Sequence, residues 1–189
     1  MLDCGLEEAL LQLQPLGGFL LPRVLVASTA LEGWSAVFDG DARGQGVRGL
    51  SVRLARALRV PGYFVAAAPP ALDPEHFPGF RQFYVLGPQT GRDHVRAVWV
   101  GEEEDVGRWH FGTDGEVQPY EDVEAYRRRR HTDRLTERML VDYAAAVGLR
   151  PWEDSFYRPP FHLITSLRLG RDRFQRTLAQ VRTEMKLDE

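Results

Sequence analysis

The apolar positions of this chain recur first at helical spacing. Leu6, Leu10 and Leu13, with Leu11 beside them, make a stripe over residues 6–14 that Pro15 closes. "GGFLLPRVLVAST" is apolar and β-prone after a glycine pair, and "WSAVFDG" alternates and ends in a turn signal. The two predict adjacent strands. Leu50, Leu54, Ala57 and Leu58 then form a helical stripe that Pro61-Gly62 stops, and "YFVAAA" reads as a buried strand. "PPALDPEHFPG" holds four prolines in eleven residues and predicts an ordered loop. "FRQFYVLGP" and "HVRAVWVGE" predict consecutive strands joined as a hairpin through "QTGRD", and "GRWHFGTDGEVQPY" adds a short strand with a Thr-Asp-Gly turn.

The period changes after that. Glu121 to Gly148 reads as helix with an interruption near Thr132, and Leu135, Met139, Tyr143 and Val147 repeat every four residues. Glu121, Asp122 and Glu124 suit its first turns, where negative charge meets the positive end of the helix dipole. "RPWEDSFYRPPFH" is an aromatic, proline-rich connector. "LITSLRL" fits a last strand or the entry to a closing helix over Arg171 to Lys186, with Phe174, Leu178 and Val181 inward. Strands dominate the first two-thirds and helices the last third. That segregation predicts an α+β fold with a largely antiparallel sheet and helices packed on it, in a single domain over 1–189.

Composition narrows the picture. Hydrophobic residues make up 43% of 189, enough for a real core. The formal net charge of −3 excludes a strong overall pull toward nucleic acid or membrane. Cys4 is the single cysteine, so there is no internal disulfide and no metal site needing two thiolates, and a reducing cytoplasm is expected. The start, "MLDCGLEEALLQLQ", carries acids where a signal peptide has a basic stretch, and no apolar run approaches a membrane span. Lys186 is the only lysine. Arginine in place of lysine suits phosphate or carboxylate recognition, though codon bias in a GC-rich genome explains it without function.

Candidate chemistry is thin. Gly44, Gly46 and Gly49 have the spacing of a dinucleotide fingerprint. The candidate strand ends near Phe38, however, and the next one runs into Pro69-Pro70 rather than an acid for a ribose hydroxyl, so a turn into the following helix is the better account. His76, His94, His110, His131 and His162 show no metal-binding helix spacing. His110 lies on a strand opposite Trp109 and Phe111, where it faces water or a groove and could act as a base oriented by Asp114 or another acid. "HTDR" joins His131 to Asp133, and Thr132 or Asp133 reads as a helix cap. No serine lies in a nucleophile elbow, and Cys4 has no nearby histidine.

Three surfaces remain. Glu102, Glu103 and Glu104 in "GEEED" make an acidic loop. Arg127, Arg130, Arg134 and Arg138 form one ridge if the segment is helical, with Glu121, Glu124 and Glu137 close enough to neutralise part of it. "WEDSFYRPPF" carries Trp152, Phe156, Tyr157 and Phe161, which pack as a lid or, exposed, form a hot spot. These predict a bacterial-type cytoplasmic binding protein without catalysis, of the inhibitor, immunity or adaptor kind. It would need no cofactor and no metal, and its partner would be another protein met through Arg127, Arg130, Arg134, Arg138, Glu102, Glu103, Glu104, Trp152 and Tyr157. The alternative is an enzyme on a phosphorylated or nucleic-acid substrate, with His110 or His131 as base and the arginines as anion clamp. A nucleic-acid binder using the ridge alone comes third, and no membrane partner is expected.

Overall fold

In a computed structural model the described residues are 1–17, 23–41, 46–69, 79–88, 92–103, 107–165 and 176–185. The chain divides into two compact units. One is formed by Met1–Val47 with Arg150–Glu189, the other by Arg48–Leu149. Each has an antiparallel sheet, three-stranded in the first and four-stranded in the second, so the α+β expectation holds.

In the first unit, β1 (Arg23–Thr29) is central, with β2 (Ser35–Asp39) and β7 (Tyr157–Thr165) at its sides. The β1–β2 pairing follows the predicted adjacency. β7 is a correction, because most of it lies in the stretch read as a connector. Its register explains why the pattern hid it. Val26 pairs with His162 and Ser28 with Arg158, so two steps on β1 span four on β7. Pro159 and Pro160 fall in that excess. Proline has no N–H for the ladder and is tolerated at a bulge on an edge strand. Phe156, Tyr157 and Phe161 are buried, as are Leu25 and Ala27 of β1, whereas Trp152 is half exposed. α1 (Leu6–Leu11) buries Ala9, and Leu13 follows it inward. α4 is Leu178–Glu184, shorter than predicted, and Thr177 and Gln180 close a capping box at its start. Val181 is buried and Leu178 is not; Phe174 lies outside the described residues.

The second unit orders its strands β3 (Gly62–Ala68), β4 (Phe80–Leu86), β5 (Arg96–Glu102) and β6 (Trp109–Gly115). The predicted hairpin between β4 and β5 is there, and period-2 parity sorts its side chains. Phe83, Val98 and Val100 face α3 (Glu137–Ala146) and pack against Leu135, Leu140 and Tyr143. Each fully buried leucine or phenylalanine there contributes roughly 1.5–3 kcal/mol. Gly148, with φ +81°, ends that helix as predicted, since glycine takes the left-handed backbone without strain.

α2 (Gly46–Leu58) departs from its predicted stripe. Ala55 is buried, and its Cβ lies 3.9 Å from where a Cβ on Gly62 would stand. Leu54 and Leu58 are 36% and 65% exposed. A small residue admits the closer approach, so the helix meets this sheet through Ala55 rather than through Leu54 and Leu58. β2 and β3, the strands on either side of the glycine loop in sequence, belong to different sheets. β2 and β3 therefore do not form the βαβ unit of a dinucleotide fold; Gly46 and Gly49 lie within α2 rather than in a loop before it, and Gly44 lies outside the described residues.

Between β6 and α3 the predicted long helix does not form. Residues 121–136 contain two short 3-10 turns, Ala125–Arg127 and His131–Asp133, with extended backbone at Arg128 and Arg130. Glu121 turns inward instead of starting a helix. Its carboxylate accepts from Arg96 Nη2 at 2.6 Å and Nε at 2.9 Å, from the Gln118 amide at 2.9 Å and from the Tyr126 hydroxyl at 2.8 Å. The Arg96 and Glu121 side chains are 3% and 1% exposed. Tyr143 Oη accepts from the Asp122 amide at 2.9 Å and lies 3.0 Å from Tyr126 Oη. Burial and these bonds push the Tyr126 hydroxyl far above its ordinary range, so it stays neutral and donates. A buried ion pair holds only if its remaining lone pairs and protons are bonded, and this network meets that condition.

Candidate functional site

The site is built on β6, an edge strand of the four-stranded sheet. Trp109 and Phe111 turn toward the α3 side and His110 toward the other, the parity predicted from "RWHFG". Unpaired edges invite association and are commonly covered. Here the 3-10 turn at residues 131–133 does the covering, with His131 Nδ1–H donating to the Trp109 carbonyl. His110 and His131 thereby become neighbours, their ring centroids 6.3 Å apart. His110 Nε2–H donates to Glu103 Oε2 at 2.9 Å, and both side chains are half exposed. The acid beside His110 is thus Glu103, and Asp114 bonds His94 instead.

Competition for this edge explains why the arginine run is not helical. Four consecutive arginines place like charges at neighbouring helical positions, a small penalty, and the turn gains the edge contacts by leaving the helix. Arg127, Arg130, Arg134 and Arg138 consequently do not share one helical ridge. The stretch 128–134 is a loop braced across itself. Arg134 Nε donates to the Arg128 carbonyl at 2.7 Å, and Arg128 Nη1 to the Asp133 carbonyl at 2.9 Å. The Arg134 guanidinium also lies 5.7 Å from the centroid of the Phe111 ring.

From beneath, Arg81 on β4 donates to the Leu135 carbonyl at 2.7 Å and the Thr132 carbonyl at 3.1 Å, with its guanidinium 5.3 Å from the Trp109 ring centroid. Burial lowers its pKa. The sequence pattern did not single out Arg81, although its signal was present: a lone arginine at inward parity in the apolar strand "FRQFYVL".

The braces leave their neighbours free. Arg129 and Arg130 are exposed and have no carboxylate partner among the described residues. Arg127 pairs with Glu124 at 3.3 Å and Arg138 with Asp142 at 3.1 Å, both local and solvated. The α3 cap is Thr136, whose hydroxyl accepts from the Met139 amide at 3.2 Å, in place of Thr132 or Asp133. On the acidic side, Glu102 accepts from the Gly79 amide at 3.2 Å, Glu103 holds His110, and Glu104 lies outside the described residues.

Acidic loop and arginine loop therefore meet at β6, joined through the two histidines. Trp152 and Tyr157 belong to the other unit. Tyr157 is a core residue there: its hydroxyl donates to the Pro151 carbonyl at 2.7 Å, and its ring meets Phe38 edge-on at 5.1 Å. Burial pushes that hydroxyl up to about 12.

Among the described residues no group of three or more His, Cys, Asp or Glu side chains could hold a metal ion, and no helix is long and apolar enough to cross a membrane. No protein-family model matches the chain, and neither a curated protein nor a solved structure does.

Proposed function

We propose that this chain is a non-catalytic, cytoplasmic binding protein whose arginine loop docks an acidic surface of another protein. The carrying observation is that Arg129 and Arg130 project, without a carboxylate partner among the described residues, from a loop already held by Arg128, Arg134 and Arg81. A loop ordered before binding loses less entropy on docking. Two guanidinium groups present planar forks that match carboxylates.

An acidic protein suits the surface better than nucleic acid. Asp122, Glu124 and Glu103 stand among or beside the arginines and would repel a continuous phosphate backbone, whereas a patchwork of both signs complements a protein surface. A cytoplasmic setting accords with a single cysteine. The enzymatic alternative has weaker support, because His131 is committed to a backbone carbonyl and the His110–Glu103 pair is open to water.

Charge reversal tests the proposal. Arg129→Glu with Arg130→Glu should abolish capture of the stoichiometric partner from native lysate while leaving the circular dichroism spectrum unchanged. Capture that survives the reversal, or turnover of a phosphorylated substrate that disappears in His110→Ala, would refute it.

A further inference from the structure

A second cluster lies on the face of the four-stranded sheet that turns away from α3, at the end opposite His110. There Tyr84, Ala97 and Asp114 stand in one row across β4, β5 and β6. Ala97 is fully buried and small, and His94, two residues ahead of β5, reaches from one end of the row to the other. Its Nε2–H donates to Asp114 Oδ2 at 2.9 Å, and its ring meets the Tyr84 ring edge-on with centroids 5.5 Å apart. That hydrogen bond is the main reason Asp114 sits below the usual carboxylate range.

With Nε2 committed, Nδ1 is the free ring nitrogen, and no described residue bonds it. Arg48, in the first turn of α2, donates from Nη1 to Tyr84 Oη at 3.1 Å and has no carboxylate partner among the described residues. Tyr84 is only 7% exposed, and its hydroxyl proton has no acceptor among the described residues. Polar groups held this deep in a protein normally find all their partners. Here a guanidinium and an imidazole are each held against one phenol, and each of the three groups has hydrogen-bonding capacity that the described residues do not use.

We infer that Arg48, Tyr84 and His94 bind the phosphoryl group of a small phosphate monoester. Three donors of different direction suit the three terminal oxygens of a tetrahedral phosphoryl group, where a carboxylate has only two. With both ring nitrogens carrying protons, His94 donates from Nδ1–H to the anion while Nε2–H stays on Asp114. Asp114 is a positioning residue: it sets which ring nitrogen faces the ligand and does not touch the anion. This site is separate from the arginine loop, and neither proposal depends on the other.

The test is titration of the full chain with inorganic phosphate, followed by calorimetry and by the His94 Cε1–H resonance. Wild type should bind and move that resonance. Arg48→Gln and Tyr84→Phe should each weaken binding about tenfold, the effect of roughly one charge-assisted hydrogen bond. Tyr84→Phe keeps the buried ring, and an unchanged unfolding midpoint confirms that its fold persists. Arg129→Ala with Arg130→Ala should leave phosphate affinity within a factor of about two, since surface arginines far from a site contribute little. A silent His94 resonance, wild-type affinity in Arg48→Gln or Tyr84→Phe, or loss of binding in the loop double variant would each overturn the inference.

Discussion

Arg96 and Arg129 belong to the same unit and have opposite surroundings. Arg96 is sealed in the sheet with every donor group committed, two of them to Glu121 and the third to the Gly115 carbonyl at 2.9 Å. Arg129 is exposed beside a rigid brace, with no partner among the described residues. Residue type does not separate them. Arg96 holds the chain after β6 against the core, so its energy belongs to folding. Arg129 is presented by a loop whose shape other arginines maintain, so its charge is available to something else. The general lesson is that an arginine's role follows from whether its donors are used within the chain.

The buried pair offers the sharpest way to break this contrast. Glu121→Ala should destabilise the fold by about 3–5 kcal/mol in denaturant melts, because it strands Arg96 without its counter-charge. Arg96→Met with Glu121→Leu should cost far less, since it removes both charges together. Equal losses in the single and double variants would show that the pair itself was not what mattered.

Asp39 in the other unit is the complementary case, a carboxylate without a cation among the described residues. Burial pushes it up to about 6, against backbone bonds from Asp41 and Val47 that pull the other way. Its Oδ2 is buried without a hydrogen-bond partner. The folded-state pKa is raised above the unfolded value, so the protonated form favours folding. Stability should therefore decline as pH rises from about 4 to about 6, by on the order of 2 kcal/mol. Asp39→Asn should remove that decline and melt higher than wild type at neutral pH. A variant with the same pH profile as wild type would contradict this account.

Smaller effects should mark the loop. Arg134→Ala removes the bond to the Arg128 carbonyl and the contact with Phe111, and should cost about 1 kcal/mol. It should also speed amide hydrogen exchange at residues 128–134 without changing exchange in β4 and β5. Arg129→Ala and Arg138→Ala should each stay within about 0.5 kcal/mol of wild type, the usual range for solvated charges. A loss above that for Arg129→Ala would place it with Arg96 instead.

Much of the core is legible in the amino-acid pattern. The apolar runs "FRQFYVL" and "HVRAVWV" mark the β4–β5 hairpin, and the four-residue repeat of Leu135, Met139 and Tyr143 marks residues that pack against it. The opposition of His110 to Trp109 and Phe111 is also readable. The candidate site is legible only in part. Its residue types are visible as an arginine run and an acidic loop, but the conformation of 121–136 is not. Local propensity favours a helix there, and the alternative gains its energy from Trp109 and Arg81, residues distant in sequence. The pairing of His94 with Asp114 is hidden for the same reason, since it depends on the register of β5 with β6.

Local periodicity thus settled the α+β class, the β4–β5 hairpin and the inward residues of α3. Periodicity works there because burial of one face imposes a repeat of two or about 3.6 residues on the sequence itself. Tertiary structure alone decided which arginine is buried and which is exposed, where the β7 prolines could be absorbed, and which acids His94 and His110 meet. Those outcomes turn on hydrogen bonds between segments far apart along the chain, and such bonds leave no periodic trace in either segment.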